Sequence, residues 1–232
     1  MDIDAVIEAG SAASAAEVVQ AALRKKIVEG RLLPGTRLVD HLLATEYDVS
    51  RNTVRDALRL LTTDGLVVSV RNAGSSVRML NAADIHDIYS ARCLIETGAI
   101  LQSSSAPDAL LDHVRRAASL SEQHVAAGDW NKVGTASLNF HRSIVGLARS
   151  ERLGNFFGNL VAQLRLAFAV MPDESAFQVS WVSRDRDIAE LVLAGRREEA
   201  AAMLVEYLND SESQIIDGVR AAEYANIALA SN

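Results

Sequence analysis

Residues 49 to 61 read Val49-Ser50-Arg51-Asn52-Thr53-Val54-Arg55-Asp56-Ala57-Leu58-Arg59-Leu60-Leu61. Ser50 is a favourable helix N-cap residue, because its hydroxyl can accept a hydrogen bond from a backbone amide of the first turn. Apolar side chains recur at i, i+4 and i+7, namely Val54, Leu58 and Leu61. Arginines recur beside them at i, i+4 and i+8, namely Arg51, Arg55 and Arg59. The pattern predicts a helix that packs by its apolar side and presents arginines outward, as a recognition helix in the DNA major groove does. A solvated surface helix is the alternative.

The flanking segments predict a winged helix-turn-helix. Helical spacing runs from Ala15 to Gly30, and Leu33–Thr36 contains the Pro-Gly pair of a turn. Leu38–Tyr47 predicts a second short helix with Leu42, Leu43 and Ala44 inward. Downstream, β-branched residues predict strands at 66–70 and 75–79, joined by a turn at 71–74. Three helices followed by a β-hairpin form a fold whose wing can reach phosphate or a minor groove.

Residues 23–78 resemble the DNA-binding domain of GntR-type bacterial transcription regulators. The resemblance is carried by Leu33–Leu38, Val49–Leu58 and Asp64–Val67, with Gly74 at the wing tip. It implies binding to a double-stranded DNA operator as a homodimer. The predicted DNA-binding residues are Arg37, Ser50, Arg51, Asn52, Thr53, Arg55, Arg59, Arg71 and Gly74. The family often has Thr-Pro where Asn52-Thr53 stand, so the base preference is expected to differ.

Length and composition suit two domains. The chain has 232 residues, 49% of them hydrophobic, and no apolar run approaches the roughly 18 residues of a membrane span. Its N-terminal segment is acidic rather than basic, so we expect no secretory signal, no membrane partner and a cytoplasmic location. Cys93 is the only cysteine, which excludes an intrachain disulfide and a thiolate metal cluster. We predict a flexible arm at 1–14, a DNA-binding domain at 15–80 and a second domain at 81–232.

The net charge of −7 is unusual for a DNA-binding protein, but its distribution is uneven. Residues 15–80 contain ten Lys and Arg against seven Asp and Glu, a balance of +3. From residue 81 onward the numbers are 13 and 20, a balance of −7. Because charges farther apart than about 10 Å are largely screened at ordinary salt, local basic charge is sufficient for the DNA-facing domain.

The second domain is predicted to be an all-α bundle of about six helices, with breaks at residues 105–108, at Gly128, near Arg149–Arg152, at Pro172 and at Gly195. It resembles the FCD effector domain of the FadR subgroup of GntR regulators. The resemblance is carried by Ile88–Glu96, Leu138–Ile144 and Arg186–Ile188, together with Gly195 and Met203. The fold class is therefore mainly α: a winged helix-turn-helix followed by a helical bundle.

Many FCD domains hold a divalent metal, and the resemblance maps its four ligand positions onto Ser137, His141, Asp185 and Tyr207. Only one of the usual three imidazoles remains. Zinc and nickel need three or four good nitrogen, oxygen or sulfur ligands, so we predict no cofactor and no tight metal site. A weak ion held by His141 and Asp185 is the alternative, and a regulator with a metal as its effector is the corresponding alternative function.

Without a metal, side chains must hold the ligand directly. Arg92 matches an arginine that faces the effector cavity in FCD domains, and a small organic acid could bind its guanidinium. An internal ion pair of Arg92 with Glu96 or Asp185 is the alternative. The predicted effector-binding residues are Arg92, His141, Asp185 and Tyr207. Phe168, Phe177 and Trp181 are assigned to ordinary core packing, although they could shape an apolar pocket.

We expect no enzymatic activity. The sequence shows no glycine-rich phosphate loop, no nucleophile elbow and no paired-carboxylate motif. Ser137 and His141 are one helical turn apart, but that spacing is common. The expected function is regulation of transcription by operator binding, with DNA affinity modulated by a small ligand in the second domain.

Overall fold

The computed structural model describes residues 13–71, 73–171 and 174–230 of the chain. The predicted arm lies outside this range except for residues 13 and 14, as do Asn72 of the predicted wing turn and the predicted helix breaker Pro172. The described residues form two compact units, one ending at Arg78 and the other beginning at Met79.

The first unit contains three helices: α1 (Ala15–Val28), α2 (Asp40–Tyr47) and α3 (Arg51–Thr63). Helix α1 begins with a capping box, in which the Ser14 hydroxyl accepts from the Glu17 amide and the Glu17 side chain accepts from the Ser14 amide. Helix α3 packs against α1 and α2. The three-helix prediction is confirmed.

A three-stranded antiparallel sheet completes this unit, with strands β1 (Arg37–Leu38), β2 (Val67–Val70) and β3 (Gly74–Val77) in the order β1-β3-β2. Pairing of Val70 with Gly74 closes the predicted wing hairpin. Two predictions were wrong: Leu38 pairs with Ser75 in β1 instead of starting a helix, and Leu42 is exposed. Helix α2 starts at Asp40, and its buried residues are Leu43 and Ala44.

The second unit contains six α-helices, as predicted: α4 (Ala82–Leu101), α5 (Asp108–Ala126), α6 (Trp130–Gly146), α7 (Glu151–Phe168), α8 (Glu174–Leu193) and α9 (Arg197–Ala230). A 3-10 turn at Ser103–Ser105 joins the first two. The described chain is thus mainly helical with one small sheet, which confirms the fold class. None of its described helices combines the length and hydropathy that a bilayer-spanning segment needs.

Helix α6 lies inside the bundle, where it packs against α4, α5, α7 and α8. Helix α9 packs against α4, α7 and α8. Helix α8 continues past Trp181 without interruption, and α9 is the longest helix of the unit. An inner helix is expected to be apolar on nearly all sides. The buried polar residues of α6 therefore indicate a candidate functional site.

Candidate functional site

The predicted recognition helix is α3, and its local sequence explains its start and orientation. The Ser50 hydroxyl accepts from the Thr53 amide at 3.1 Å, which satisfies one of the free amides of the first turn. Val54, Leu58 and Leu61 are buried as predicted. Since these residues fix one side of the helix against α1 and α2, the neighbouring side is left to solvent.

The three arginines of α3 lie on that exposed side, with between 54% and 79% of each side chain accessible. Asp40, at the start of α2, holds two of them: Arg51 Nη2 donates to both carboxylate oxygens at 3.1 Å, and Arg55 Nε donates to Oδ2 at 3.0 Å. These arginines hold the pKa of Asp40 below its usual value. Arg59 pairs with Asp56 at 2.7 Å. Arg51, Arg55 and Arg59, which we call the arginine ridge, are therefore accessible, and their side chains are partly oriented by carboxylates of the same unit.

The other predicted DNA-binding residues surround this ridge. Asn52 is exposed on α3, Thr53 is half-buried, and Arg71 is exposed beside the wing. Arg37 on β1 donates to the Ala73 carbonyl at 3.3 Å, so it lies against the wing hairpin. Gly74 has φ of +90°, a conformation that favours glycine. Contact of any of these residues with DNA stays a prediction.

In the second unit, the predicted residues fall into one buried polar cluster. We define it as Arg92 and Glu96 of α4, Ser137 and His141 of α6, Asp185 of α8 and Tyr207 of α9, all at most 4% exposed. The bundle thus brings the four predicted effector residues together and adds Glu96 and Ser137. Burial of this many polar groups is costly unless each finds a partner.

Glu96 is the hydrogen-bonding centre of this polar cluster. Its Oε1 accepts from Arg92 Nε at 2.8 Å, and its Oε2 lies 2.6 Å from His141 Nδ1. Burial opposes ionisation of Glu96, but Arg92 and His141 outweigh it and the pKa of this carboxyl lies below its usual value. Because an ionised carboxylate only accepts, Nδ1 of His141 carries the proton. The internal ion pair that the sequence left as an alternative for Arg92 is present.

The other side of His141 faces Asp185. The distance from His141 Nε2 to Asp185 Oδ1 is 3.6 Å, and neither atom has a hydrogen-bond partner within the described residues. Burial raises the pKa of Asp185 to about 6, although His141 and the nearby hydroxyls of Ser137 and Tyr207 partly offset it. A buried carboxyl of this kind is suited to accept a hydrogen bond from a ligand that enters the bundle.

Unsatisfied polar atoms are concentrated around this point. Of the eight buried side-chain nitrogen and oxygen atoms without a partner in the described chain, six lie here: Arg92 Nη2, His141 Nε2, Gln178 Nε2, Trp181 Nε1 and both oxygens of Asp185. Folded proteins pair nearly all such atoms, so each exception needs an explanation. A ligand that supplies the missing hydrogen bonds is one.

Helices α6 and α8 run parallel in a fixed register. His141 faces Asp185, and seven residues earlier on both helices Gly134 faces Gln178. A Cβ at position 134 would lie 2.6 Å from Gln178 Nε2 and 2.7 Å from Arg165 Nη1, so these two nitrogens point at the same spot on α6. Gln178 and Trp181 share their face of α8 with Asp185, at i, i+3 and i+7.

Buried aromatic rings pack beside the polar cluster. The Tyr207 ring centroid lies 5.0 Å from that of His141 and 4.9 Å from that of Trp181. Trp181 continues to Phe177, and Phe177 to Phe168. These three residues pack in the core as predicted, but Trp181 also presents its unpartnered indole nitrogen to the interior.

The donor set does not fit a tightly bound zinc or nickel ion. At the four family ligand positions, only His141 and Asp185 are good ligands; the Ser137 hydroxyl lies 3.4 Å from the hydroxyl of Tyr207, and burial keeps the pKa of that phenol well above its ordinary value. Glu96 is directed at Nδ1 of His141 and at Arg92 instead.

The sequence did not indicate Gln178, Arg165 or Gly134. The available signal was weak: a polar residue on the same face of α8 as Asp185, and a glycine on the same face of α6 as His141. Polar residues on an inner face are ambiguous without knowledge of which helix faces which.

Known proteins resemble this chain over both units. The sequence profile of "Bacterial regulatory proteins, gntR family" matches residues 15–77, and that of the FCD domain matches residues 87–210. The chain is 29% identical over 194 residues to the Nta operon transcriptional regulator of Aminobacter aminovorans, which covers 82% of this chain and 89% of that protein. It is 28% identical over 136 residues to the gluconate operon transcriptional repressor of Bacillus licheniformis, over 58% of this chain and 56% of that one.

A solved structure extends the likeness to three dimensions. A protein described as a GntR transcriptional regulator from Rhodococcus sp. RHA1 superposes with a TM-score of 0.83 at 33% identity, covering 88% of this chain and 99% of that one.

Proposed function

We propose that this chain, which belongs to the GntR family of bacterial regulatory proteins and carries an FCD domain, binds a specific operator as a homodimer. We also propose that a small organic acid bound in the helical bundle changes its affinity for DNA. The family makes it a transcriptional regulator with a DNA-binding domain and an effector domain. The operator contacts, the ligand, the homodimer and a cytoplasmic location are our proposal.

The exposed arginine ridge of α3 is the observation that carries the DNA-binding part. Arginine can donate two parallel hydrogen bonds to the O6 and N7 atoms of guanine in the major groove. Asp40 supports this role, because it restrains Arg51 and Arg55 in the free protein and so reduces the entropy lost on binding. We propose that Arg51, Arg55 and Asn52 contact bases and that Arg37 and Arg71 contact backbone phosphates.

The effector site is proposed at the polar cluster. Its unpartnered atoms at Arg92, His141 and Asp185 would gain hydrogen bonds from a bound ligand. The ligand shifts the balance between DNA-binding and non-binding states only by its different affinity for the two, and by the same factor DNA changes the affinity for the ligand.

The proposed homodimer has a candidate surface on the second unit. Helix α4 carries Leu94 and Leu101, 77% and 50% exposed, and α7, which packs against α4, carries Phe156 with 52% exposed. Leu94 and Leu101 are seven residues apart and therefore share one face of α4. Large apolar side chains exposed on one face are typical of interaction sites. A second copy of this chain fits, because a two-fold dimer pairs the same surface twice and presents two recognition helices to a palindromic operator.

The DNA part is tested with an operator selected from a duplex pool with a randomised central segment. Fluorescence anisotropy then compares Arg55→Ala with Arg31→Ala, a control at an exposed arginine outside α3. Loss of a base contact is expected to weaken binding about tenfold to hundredfold for Arg55→Ala, whereas Arg31→Ala stays near the parent. Equal effects of the two substitutions, or no sequence enriched from the pool, would contradict operator reading by α3.

The effector part is tested on the same operator with a panel of organic acids. Arg92→Met keeps an unbranched apolar stem but removes the guanidinium and its donors, so we expect it to retain DNA binding and lose the response to the acid. A normal response by a folded Arg92→Met protein would place the effector outside the polar cluster.

A further inference from the structure

A groove lies between helices α8 and α9, on both sides of the turn that joins them. Its volume is about 680 Å³, within the range of protein binding pockets. It is lined from Asp187 to Ala194 on α8 and from Glu199 to Glu206 on α9, and on each helix the lining residues recur at i, i+3, i+4 and i+7. Because residues with this spacing share one side of a helix, two helix faces meet in the groove.

The half-buried part of the groove is apolar. Leu191 of α8 and Met203 of α9 lie there, and the exposed Ala194 and Ala202 line the groove beside them. Removal of such a surface from water by a partner is favourable. Methionine is flexible and polarisable, so Met203 can adapt to the apolar side chains of a partner.

Carboxylates outnumber guanidinium groups along the same groove by four to one. Two of the four carboxylates pair with neighbouring arginines. Of the other two, Glu190 on α8 has a side chain that is 71% exposed, and its Oε1 lies 3.9 Å from Arg186 Nε. Glu206 on α9 is exposed and has no hydrogen bond or ion pair within the described residues. Each wall of the groove therefore offers negative charge to a partner.

We propose that this groove binds a basic amphipathic helix of a partner protein. A helix that packs its apolar side on Leu191 and Met203 brings its flanking lysines or arginines to the carboxylates of the two walls, and this charge complementarity selects against acidic partners. A small cation would pair with the carboxylates but leave the apolar part of the groove in water. Seven residues of helix rise by about 10 Å, so the groove accommodates about two turns of the partner. The inference goes beyond operator and effector binding, since it uses no residue of the polar cluster.

Two synthetic peptides test the chemistry of the partner. One is an amphipathic helix of leucine and lysine, and the other has glutamate in place of each lysine. Fluorescence anisotropy measures the binding of each labelled peptide to the full chain. We expect the lysine peptide to bind and the glutamate peptide to bind at least about tenfold more weakly, because like charges across an interface repel. Equal binding of the two peptides, or no binding of the lysine peptide, overturns the proposal.

Substitutions in the full chain locate the binding surface. Glu190→Lys combined with Glu206→Lys reverses the charge on both walls and is expected to weaken binding of the lysine peptide about tenfold. Met203→Ala removes apolar contact without changing the charge, and we expect it to weaken binding about threefold or more. The matched control combines Asp87→Lys with Asp217→Lys, which make the same change of charge at two exposed aspartates outside the groove. Its affinity for the lysine peptide is expected to stay near that of the parent.

The remaining outcomes separate this partner from other occupants, with each variant shown to be folded by circular dichroism. Equal weakening by the control and by the groove variant would assign binding to the overall charge of the second unit and overturn the groove as the site. Weakening by charge reversal but not by Met203→Ala would leave an ionic contact only and overturn the amphipathic partner. If light scattering shows that reversal of Glu190 and Glu206 lowers the molar mass of the parent assembly, a second copy of this chain occupies the groove and the proposed partner is wrong. An unchanged molar mass, together with binding that depends on the groove, supports the proposal.

Discussion

Substitution of Glu96 by Gln tests the electrostatics of the bundle interior. Glu96 is fully buried and pairs with Arg92 Nε at 2.8 Å and His141 Nδ1 at 2.6 Å. Gln keeps the size of the side chain and one acceptor oxygen but leaves the guanidinium of Arg92 without an opposite charge. Removal of one partner of a buried ion pair costs about 3 to 5 kcal/mol.

A loss of about 3 kcal/mol corresponds to a decrease in Tm of about 6 to 12 °C for a protein of this size. We expect thermal and urea unfolding, followed by circular dichroism, to show this decrease for Glu96→Gln. The control is Glu199→Gln on α9, since Glu199 pairs with Arg196 at the surface and such pairs contribute little.

A second substitution identifies the unpaired cation as the cause. Adding Arg92→Met to Glu96→Gln removes the uncompensated charge, so we expect the double variant to recover at least half of the lost stability. A Glu96→Gln protein that melts within about a degree of the parent, or a double variant less stable than the single one, would refute this reasoning.

Three further expectations concern other parts of the molecule. Because burial raises the pKa of Asp185 to about 6 from 3.8, the neutral form stabilises the fold below about pH 4 and this contribution is lost as the pH rises through 6. In urea unfolding at pH 8, Asp185→Asn should therefore remove about 3 kcal/mol of destabilisation that comes from ionising this carboxyl. The control Asp187→Asn, at the surface, should leave the dependence of unfolding free energy on pH unchanged. If Asp185→Asn keeps the pH dependence of the parent, this pKa is contradicted. Asp40→Asn should lower the ratio of operator to random-duplex affinity about tenfold, because Arg51 and Arg55 lose their common anchor; an unchanged ratio would count against Asp40 as that anchor. We expect Leu94→Glu to convert the proposed dimer to a monomer in light scattering; a dimer that persists would exclude this face of α4 as its interface.

The first unit could be predicted in most of its elements because its signals are local. The Ser50 cap, the apolar spacing of α3 and the turn residues of the wing each act within a few positions of the chain. The errors at Leu38 and Leu42 have a non-local cause. Leu38 pairs with Ser75, almost forty residues away, and this strand moves the start of α2 to Asp40.

For the second unit, the number of helices and the residues at family positions could be predicted from the sequence. The contacts among those residues could not. The resemblance selected Arg92, His141, Asp185 and Tyr207, and these residues meet in the bundle. It did not give the pairing of Arg92 with Glu96, since an i, i+4 pair and a ligand contact look alike in sequence. It also missed Gln178, because its meaning depends on the register between α6 and α8.

The matched spacing of Gly134 and His141 with Gln178 and Asp185 limits how this bundle can diversify. Insertion of a single residue between the two levels on either helix would turn everything after it by about 100° and separate one pair while leaving the other in place. Changes of side chain at fixed positions avoid this penalty. Variants of this regulator with new ligand preferences should therefore be sought by exchanging residues on the inner faces of α6 and α8, with both helix lengths held constant.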